Sequence, residues 1–184
     1  MEKDYFQDIS SDKDSLLLRW VDDFLLITPH LELADKFLQR MHSGIPEYGC
    51  SVNSEKSLVN FDAKTPDGAI VKKISRDKKF PWCGFLLDQQ LLNVQCDYNY
   101  YAGCQLNDTI TAELSTNPGL AIKAKLQYTL QPKCHPLLLD PQINPSYTVL
   151  TNLYQAFLLS ACKLIAHVRR LPRGHRPADN PRFP

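Results

Sequence analysis

Apolar positions in the first part of the chain switch between a strand-like and a helix-like pattern. From Leu16 to Thr28, LLLRWVDDFLLIT sets two apolar runs of strand length on either side of a polar Asp-Asp pair. This predicts a buried β-hairpin with Asp22 and Asp23 at its tip. Thr28-Pro29 then offers an N-cap with proline in the first turn. Leu31, Ala34, Phe37, Leu38 and Met41 come next at helical spacing and Gly44 is a natural stop, so a helix is predicted from about Pro29 to Ser43. Tyr48 to Val52 and Leu58 to Phe61 are predicted strands around the polar Asn53-Ser54-Glu55-Lys56. A lysine-rich loop over residues 62–79 contains a further strand at Ala69 to Ile74. FPWCGFLLD, Phe80 to Asp88, is read as one strand that turns at Gln89-Gln90 and returns over Leu91 to Tyr98 as a second hairpin.

After Tyr98 the pattern is helical. Leu120, Ile122, Ala124, Leu126 and Leu130 predict a helix opening near Pro118-Gly119, and Pro132, Pro136, Pro141 and Pro145 break the next stretch. From Ser146, the positions Leu150, Leu153, Phe157, Ala161, Leu164 and Val168 form a one-sided apolar stripe on a long helix ended by Pro172. Residues 173–184, rich in proline and arginine, read as a disordered tail. The fold class predicted is α+β, strands with one helix first and helices after.

Composition changes this picture in three ways. The 184 residues are 43% hydrophobic, which excludes wholesale disorder, and suit one domain or one and a half small ones. Uninterrupted apolar stretches such as Phe24 to Ile27 fall far short of the roughly 18 residues of a bilayer span, so no membrane is expected. The six cysteines form no C-x-x-C pair, and Met1-Glu2-Lys3-Asp4 is too polar for a secretory leader, which predicts reduced thiols in an intracellular protein. Cys134-His135 stands without a second pair at ligand spacing, so no zinc site is expected.

The formal net charge of +1 argues against a simple basic coat for nucleic acid. It hides an uneven distribution. Residues 1–23 hold seven acids and three bases, residues 64–79 six bases and two acids, and residues 163–182 six bases and one acid. A basic block is ordinarily a solvated face or tail. The acidic pair is more informative, because adjacent carboxylates repel and each needs water, hydrogen bonds or a cation. An Asp-Asp turn is one reading, since aspartate suits tight turns. The other is a divalent-ion site at the rim of a sheet. Mg²⁺ takes one or two carboxylates plus phosphate oxygens, and two such ions can hold the attacking and leaving oxygens of a nucleotidyl transfer.

Three segments in order, LLLRWVDDFLLITPHL, IPEYGCSVNSEKSLVNF and FPWCGFLLD, closely resemble telomerase reverse transcriptase in a vertebrate-like form. The resemblance runs from about Met1 to Asn180 and includes KCHPLLLDPQIN and TNLYQAFLL. It implies RNA-templated DNA synthesis that adds telomeric repeats to chromosome 3′ ends, with Mg²⁺, in the nucleus at telomeres. Val21 to Asp23 matches the motif that carries two of the family's three metal-binding aspartates, with Asp22 the stronger ligand and Asp23 its partner. Lys56 aligns with the lysine proposed to protonate the leaving pyrophosphate; otherwise it is a surface lysine in a turn. Trp82-Cys83-Gly84 matches the primer grip, where Gly84 lets a backbone approach closely and Trp82 either stacks or plugs the palm. Trp20 stands where the family usually has another apolar residue, near the primer end and nucleotide.

The resemblance further implies a domain order: residues 1–98 as the C-terminal part of the palm, 99–172 as a partial helical thumb, and 173–184 as the tail. The implied partners are the telomerase template RNA, the telomeric single-stranded DNA primer, the RNA–DNA hybrid, deoxynucleoside triphosphates and the remaining domains of the full-length enzyme. The family carries a lysine- and arginine-rich stretch before KCH, where this chain has only Lys123, Lys125 and Lys133. A weaker grip on the hybrid backbone is expected. The third aspartate and the fingers belong to earlier parts of the family's sequence, so the chain alone is expected to be inactive. The competing expectation is a non-catalytic product that binds hybrid or competes with the full-length enzyme.

Overall fold

The computed structural model of the chain describes residues 5–49, 51–110, 117–173 and 175–176. The chain divides into two compact units, Met1–Cys83 and Gly84–Pro184. Each combines short strands with helices, and the fold is α+β.

In the first unit, a short helix α1 (Gln7–Ser11) precedes an antiparallel hairpin of β1 (Leu16–Trp20) and β2 (Asp23–Ile27). Leu16 pairs with Ile27 and Trp20 with Asp23, which leaves Val21-Asp22 as the turn. The hairpin lies where the pattern puts it, but only Leu25 within its strands is buried and Trp20 is 57% exposed. Helix α1 has no counterpart in the sequence reading. Its Ile9, with Phe6 and Ile45, forms a buried cluster closed by Leu17, Leu26, Phe37 and Met41. Five residues are too few to show a helical period, so tertiary burial rather than pattern fixes this helix.

Helix α2 (Leu31–Ser43) starts two residues later than the expected Pro29. Thr28 Oγ1 accepts a hydrogen bond from His30 N at 3.0 Å and holds the approach to the first turn. Gly44 ends the helix at φ 75°, as its position predicts. Phe37 and Met41 face the Phe6 cluster, Leu38 joins Val59, Ala63 and Val71 in a second one, and Leu31 is exposed.

Arg40 on α2 ties α1 down: its Nη1 donates to Asp8 Oδ1 at 2.7 Å and to Tyr5 O at 2.8 Å. That hydrogen bond holds the Asp8 carboxyl below its ordinary value of 3.8. A carboxyl whose folded pKa is lowered stabilises the fold above the unfolded value and loses that contribution as pH falls through the folded one. Asp8→Asn is therefore expected to lower the urea midpoint at neutral pH. The gap to the parent should close as pH drops below about 4, the ordinary carboxylate range. A gap that does not change with pH would remove this ion pair from the acid response.

Of the predicted strand from Tyr48 to Val52, Cys50 lies outside the described residues and the other four positions form no strand. Two 3-10 turns, Pro46–Tyr48 and Ser54–Lys56, flank that region instead. Pro46 has no N–H for a ladder, and Asn53 Oδ1 caps the second turn by accepting from Glu55 N at 3.0 Å. The strands expected at Leu58 to Phe61 and Ala69 to Ile74 shrink to β3 (Leu58–Val59) and β4 (Lys72–Lys73), paired in parallel. The run from Phe80 to Asp88 is two strands, β5 (Phe80–Trp82) and β6 (Phe85–Leu87). Cys83 and Gly84 between them have φ of 47° and 80°, the both-positive pattern of a two-residue turn, for which glycine at the second position is well suited.

In the second unit, β6 pairs antiparallel with β7 (Val94–Cys96), close to the return strand predicted. Helices α3 (Pro118–Leu130), α4 (Pro136–Leu139) and α5 (Ser146–Arg170) come after it. Val94, Cys96 and Leu138 form its apolar cluster, with Phe85, Tyr98 and Leu139 against it. Two buried asparagines stitch β7 to the helices. Asn144 Oδ1 accepts from Val94 N at 2.7 Å while its Nδ2 donates to Leu137 O at 2.8 Å. Asn152 Nδ2 donates to Val94 O at 2.9 Å and to Leu138 O at 2.8 Å. Both backbone groups of Val94 are thus satisfied by side chains, as buried strand groups require.

This stitching corrects the expected orientation of α5. Its buried residues are Thr148, Asn152, Ala156, Ser160, Ala166 and His167, whereas Leu150 is 66% and Phe157 58% exposed. Small and hydrogen-bonding side chains face β7 and α4; of the apolar stripe, Leu150, Phe157 and Ala161 are exposed while Leu153, Leu164 and Val168 are half-buried. The helix is also long and apolar enough to cross a membrane by length and composition, with 22% of the qualifying window buried. Uninterrupted runs missed this, because Thr, Asn, Gln and Ser are spaced through it. Core helices of other proteins share this length and composition. The tail expected at 173–184 lies almost wholly outside the described residues. Among those described, Cys83, Cys96, Cys104, Cys134 and Cys162 are free thiols.

Candidate active site

The site begins at the β1–β2 turn. Val21 adopts φ 55°, a region costly for a β-branched residue by about 1–3 kcal/mol. Positive φ at the first of two turn residues is the type II′ arrangement, which normally takes glycine. Arg19 braces it: its Nε donates to Val21 O at 2.7 Å, and its guanidinium lies 5.2 Å from the Phe24 ring centroid. The brace sets Asp22 in the turn and Asp23 at the first position of β2.

Asp22, Asp23, Lys56, Trp82 and Cys83 all line one cleft of about 550 Å³, floored by apolar side chains that include Leu25, Leu38 and Val59. Residues from four separate stretches of sequence therefore converge. Trp20, one position before the turn, is exposed and does not line the cleft, and Gly84 opens the second unit.

Both carboxylates are exposed, and no lysine or arginine is ion-paired to either among the described residues. Their oxygens are open to the cleft, and hard oxygen donors of this kind fit a divalent ion such as Mg²⁺. Two carboxylates fill part of a coordination shell and leave the rest to other oxygens. Cys83 Sγ donates to Asp23 Oδ2 at 3.6 Å. Burial, followed by that hydrogen bond and the Asp23 charge, pushes the thiol up, so Cys83 stays a neutral donor. Trp82 is half-buried, and its Nε1 is buried with no hydrogen-bond partner among the described residues. Lys56 is exposed on the 3-10 turn capped by Asn53. A separate trio of Asp12, Asp14 and His30 gathers at the open end of the hairpin, where Asp12 is engaged by Ser15.

Sequence reading singled out the turn, the lysine and the Trp-Cys-Gly segment, but it missed the bracing by Arg19 and the Cys83–Asp23 hydrogen bond. The Arg19 brace depends on an unusual backbone angle. The thiol contact joins positions 60 residues apart, and no spacing rule reaches that far.

The fold has a solved counterpart in a telomerase from Candida albicans in complex with the TWJ fragment of telomeric RNA. The TM-score is 0.57, with 91% of this chain and 22% of that chain covered at 21% identity. Residues 120–184 match the family model described as telomerase reverse transcriptase, C-terminal extension. Telomerase reverse transcriptase of Mus musculus is 43% identical over 185 residues, covering 100% of this chain and 16% of the relative. That of Arabidopsis thaliana is 33% identical over 161 residues, covering 85% and 14%. The chain belongs to the telomerase reverse transcriptase family, and it spans 16% of the length of the mouse relative.

Proposed function

We propose that this chain carries the two-aspartate site and primer-grip segment of a telomerase catalytic subunit, with residues 1–98 as palm and 99–172 as part of the thumb. The single observation that best supports this reading is the shared cleft of Asp22, Asp23, Lys56 and Trp82. The reaction is addition of deoxynucleotides to a telomeric DNA 3′ end on an RNA template, in the nucleus at chromosome ends. Its partners are that RNA, the primer, their hybrid, deoxynucleoside triphosphates and the remaining domains of the enzyme.

Asp22 and Asp23 present carboxylate oxygens from a braced turn, so little reorganisation is needed when a cation arrives. A divalent ion bound there supplies Lewis-acid activation of the 3′ hydroxyl and charge neutralisation for the leaving pyrophosphate. Cys83 holds Asp23 in one orientation through its thiol. Trp82 offers its ring to the primer end while its indole N–H stays buried, and the Cys83-Gly84 turn keeps that stretch of backbone open to a strand. Trp20 lies beside the turn, at the nucleotide side. Lys56 provides a mobile ammonium for the leaving group, and a proton moves from its Nζ to the departing pyrophosphate oxygen.

In the full-length enzyme, Lys56→Ala is expected to lower kcat for nucleotide addition about a hundredfold, the usual scale for losing a general acid. KM for the triphosphate should change much less, and Lys56→Arg should restore binding more than kcat. Steady-state primer extension under varied triphosphate measures both. An unchanged kcat would return Lys56 to the role of a surface lysine.

A further inference from the structure

Among the described residues Cys96, on β7, is the one buried thiol, 7% exposed and part of the apolar cluster of the second unit. Lys133 reaches it from the 3-10 turn Gln131–Cys134 between α3 and α4, 37 positions further along the chain. Its Nζ donates to Cys96 Sγ at 3.3 Å and lies 5.3 Å from the Tyr98 ring centroid. No carboxylate is ion-paired with Lys133 among the described residues. Burial, with the Cys96 charge second, pushes the Tyr98 phenol up, so Tyr98 gives the cation a neutral face and no countercharge.

A sulfur and a ring thus fix this nitrogen from two sides, and the sulfur is one that can be oxidised. Lys163 shows the contrast. It lies 4.7 Å from the Tyr101 ring centroid, but its Nζ donates to a hydroxyl, Tyr101 Oη, at 3.1 Å.

We propose that Cys96 and Lys133 are a redox-controlled covalent pair, joined by a sulfur–nitrogen bond when peroxide oxidises the thiol. Cys96 Sγ attacks one peroxide oxygen. The S–O bond forms, the O–O bond breaks, and hydroxide leaves as water with the thiol proton, which gives a sulfenic acid. Lys133 Nζ loses one proton to solvent and attacks the sulfur. The S–N bond forms, the S–O bond breaks, and the hydroxyl leaves as water with a second proton from the nitrogen. The sulfur gives up two electrons and the peroxide takes them. Sulfenic acids condense in the same way with thiols and backbone nitrogens. Here the amine already stands at contact distance, which removes much of the entropy cost of the second step. Burial of Cys96 slows the second peroxide that would carry the sulfur on to sulfinic acid. Lys133 is half-buried and borders the open space between α3 and α5, the side from which peroxide, little larger than water, enters. The link ties β7 to the turn after α3 and so staples the second unit. It is independent of the Asp22-Asp23 cleft and of the activity proposed for it.

Hydrogen peroxide added to the 184-residue chain, followed by digestion without reductant and mass spectrometry, tests the proposal. The expected product joins the Cys96 peptide to the Lys133 peptide and is lighter than the reduced pair by about 2 Da, the two hydrogens lost. Dithiothreitol should restore both peptides. Linking should raise Tm by about 5 °C or more, as closure of a loop of this length does. Lys133→Arg keeps the charge and removes the amine, so the link should vanish and dimedone should trap Cys96 as its sulfenic acid. Circular dichroism checks that this variant folds. Should it not fold, the parent decides alone, with Lys163 expected to stay unlinked. Absence of the Cys96–Lys133 product, Cys96 in a disulfide with the exposed Cys134, equal linking of Lys163, or a link that leaves Tm unchanged would each overturn the proposal.

Discussion

Asp22→Ala in the full-length enzyme is expected to abolish extension of a telomeric primer while assembly with the template RNA is kept. The loss should reach about three orders of magnitude, equivalent to about 4 kcal/mol of barrier. The expectation rests on where Asp22 sits: in a turn braced by Arg19, exposed, and free of lysine or arginine ion pairs among the described residues. A carboxylate so placed contributes little to packing, so its removal should act on chemistry and leave the fold intact. Asp14→Asn, an exposed carboxylate before β1, serves as the control and should leave extension near the parent rate. Direct primer extension with co-purified RNA quantified in parallel separates the two effects. Normal extension by Asp22→Ala would sink the site assignment, and loss of RNA together with activity would point to folding instead.

The second large effect is on stability. Asn152→Ala should destabilise the chain by about 3 kcal/mol, because two buried carbonyls, Val94 O and Leu138 O, lose their donor together. Asn152 is 2% exposed, so water does not readily replace it. Phe157→Ala provides the contrast. The sequence pattern counts Phe157 as core, and removal of a core phenylalanine costs about 3–5 kcal/mol. The structure leaves it 58% exposed, and the expected cost is below about 1 kcal/mol. Urea unfolding of both variants decides between the two faces of α5. A larger loss for Phe157→Ala than for Asn152→Ala would reverse the orientation described for this helix.

The pair of variants also marks where sequence reading stops. The length of α5 was legible, because a period of 3.6 needs only local positions. Its direction was not, because the buried face is chosen by what it must meet. Here it meets the C=O groups of Val94 and Leu138, so Asn152 goes inward and Leu150 and Phe157 go outward. The failed strand from Tyr48 to Val52 has a local cause, since Pro46 and the Asn53 cap favour turns over a ladder. Helix α1 was invisible for the opposite reason: five residues carry too little pattern, and burial of Phe6 and Ile9 makes the helix.

The sequence by itself determined the β1–β2 hairpin, the extent of α2, the order of the motifs and the kinship they carry. Each rests on neighbouring residues, through period, turn chemistry or ordered identity along the chain. Tertiary structure decided which residues share a space. It brought Asp22, Asp23, Lys56 and Trp82 to one cleft and set Cys83 against Asp23. It turned α5 by Asn152 and parked Lys133 and Lys163 on tyrosine rings without a carboxylate among the described residues. Those arrangements depend on hydrogen bonds and charges between distant positions, whose strength is set by distance and burial in the folded chain, quantities that no local spacing contains.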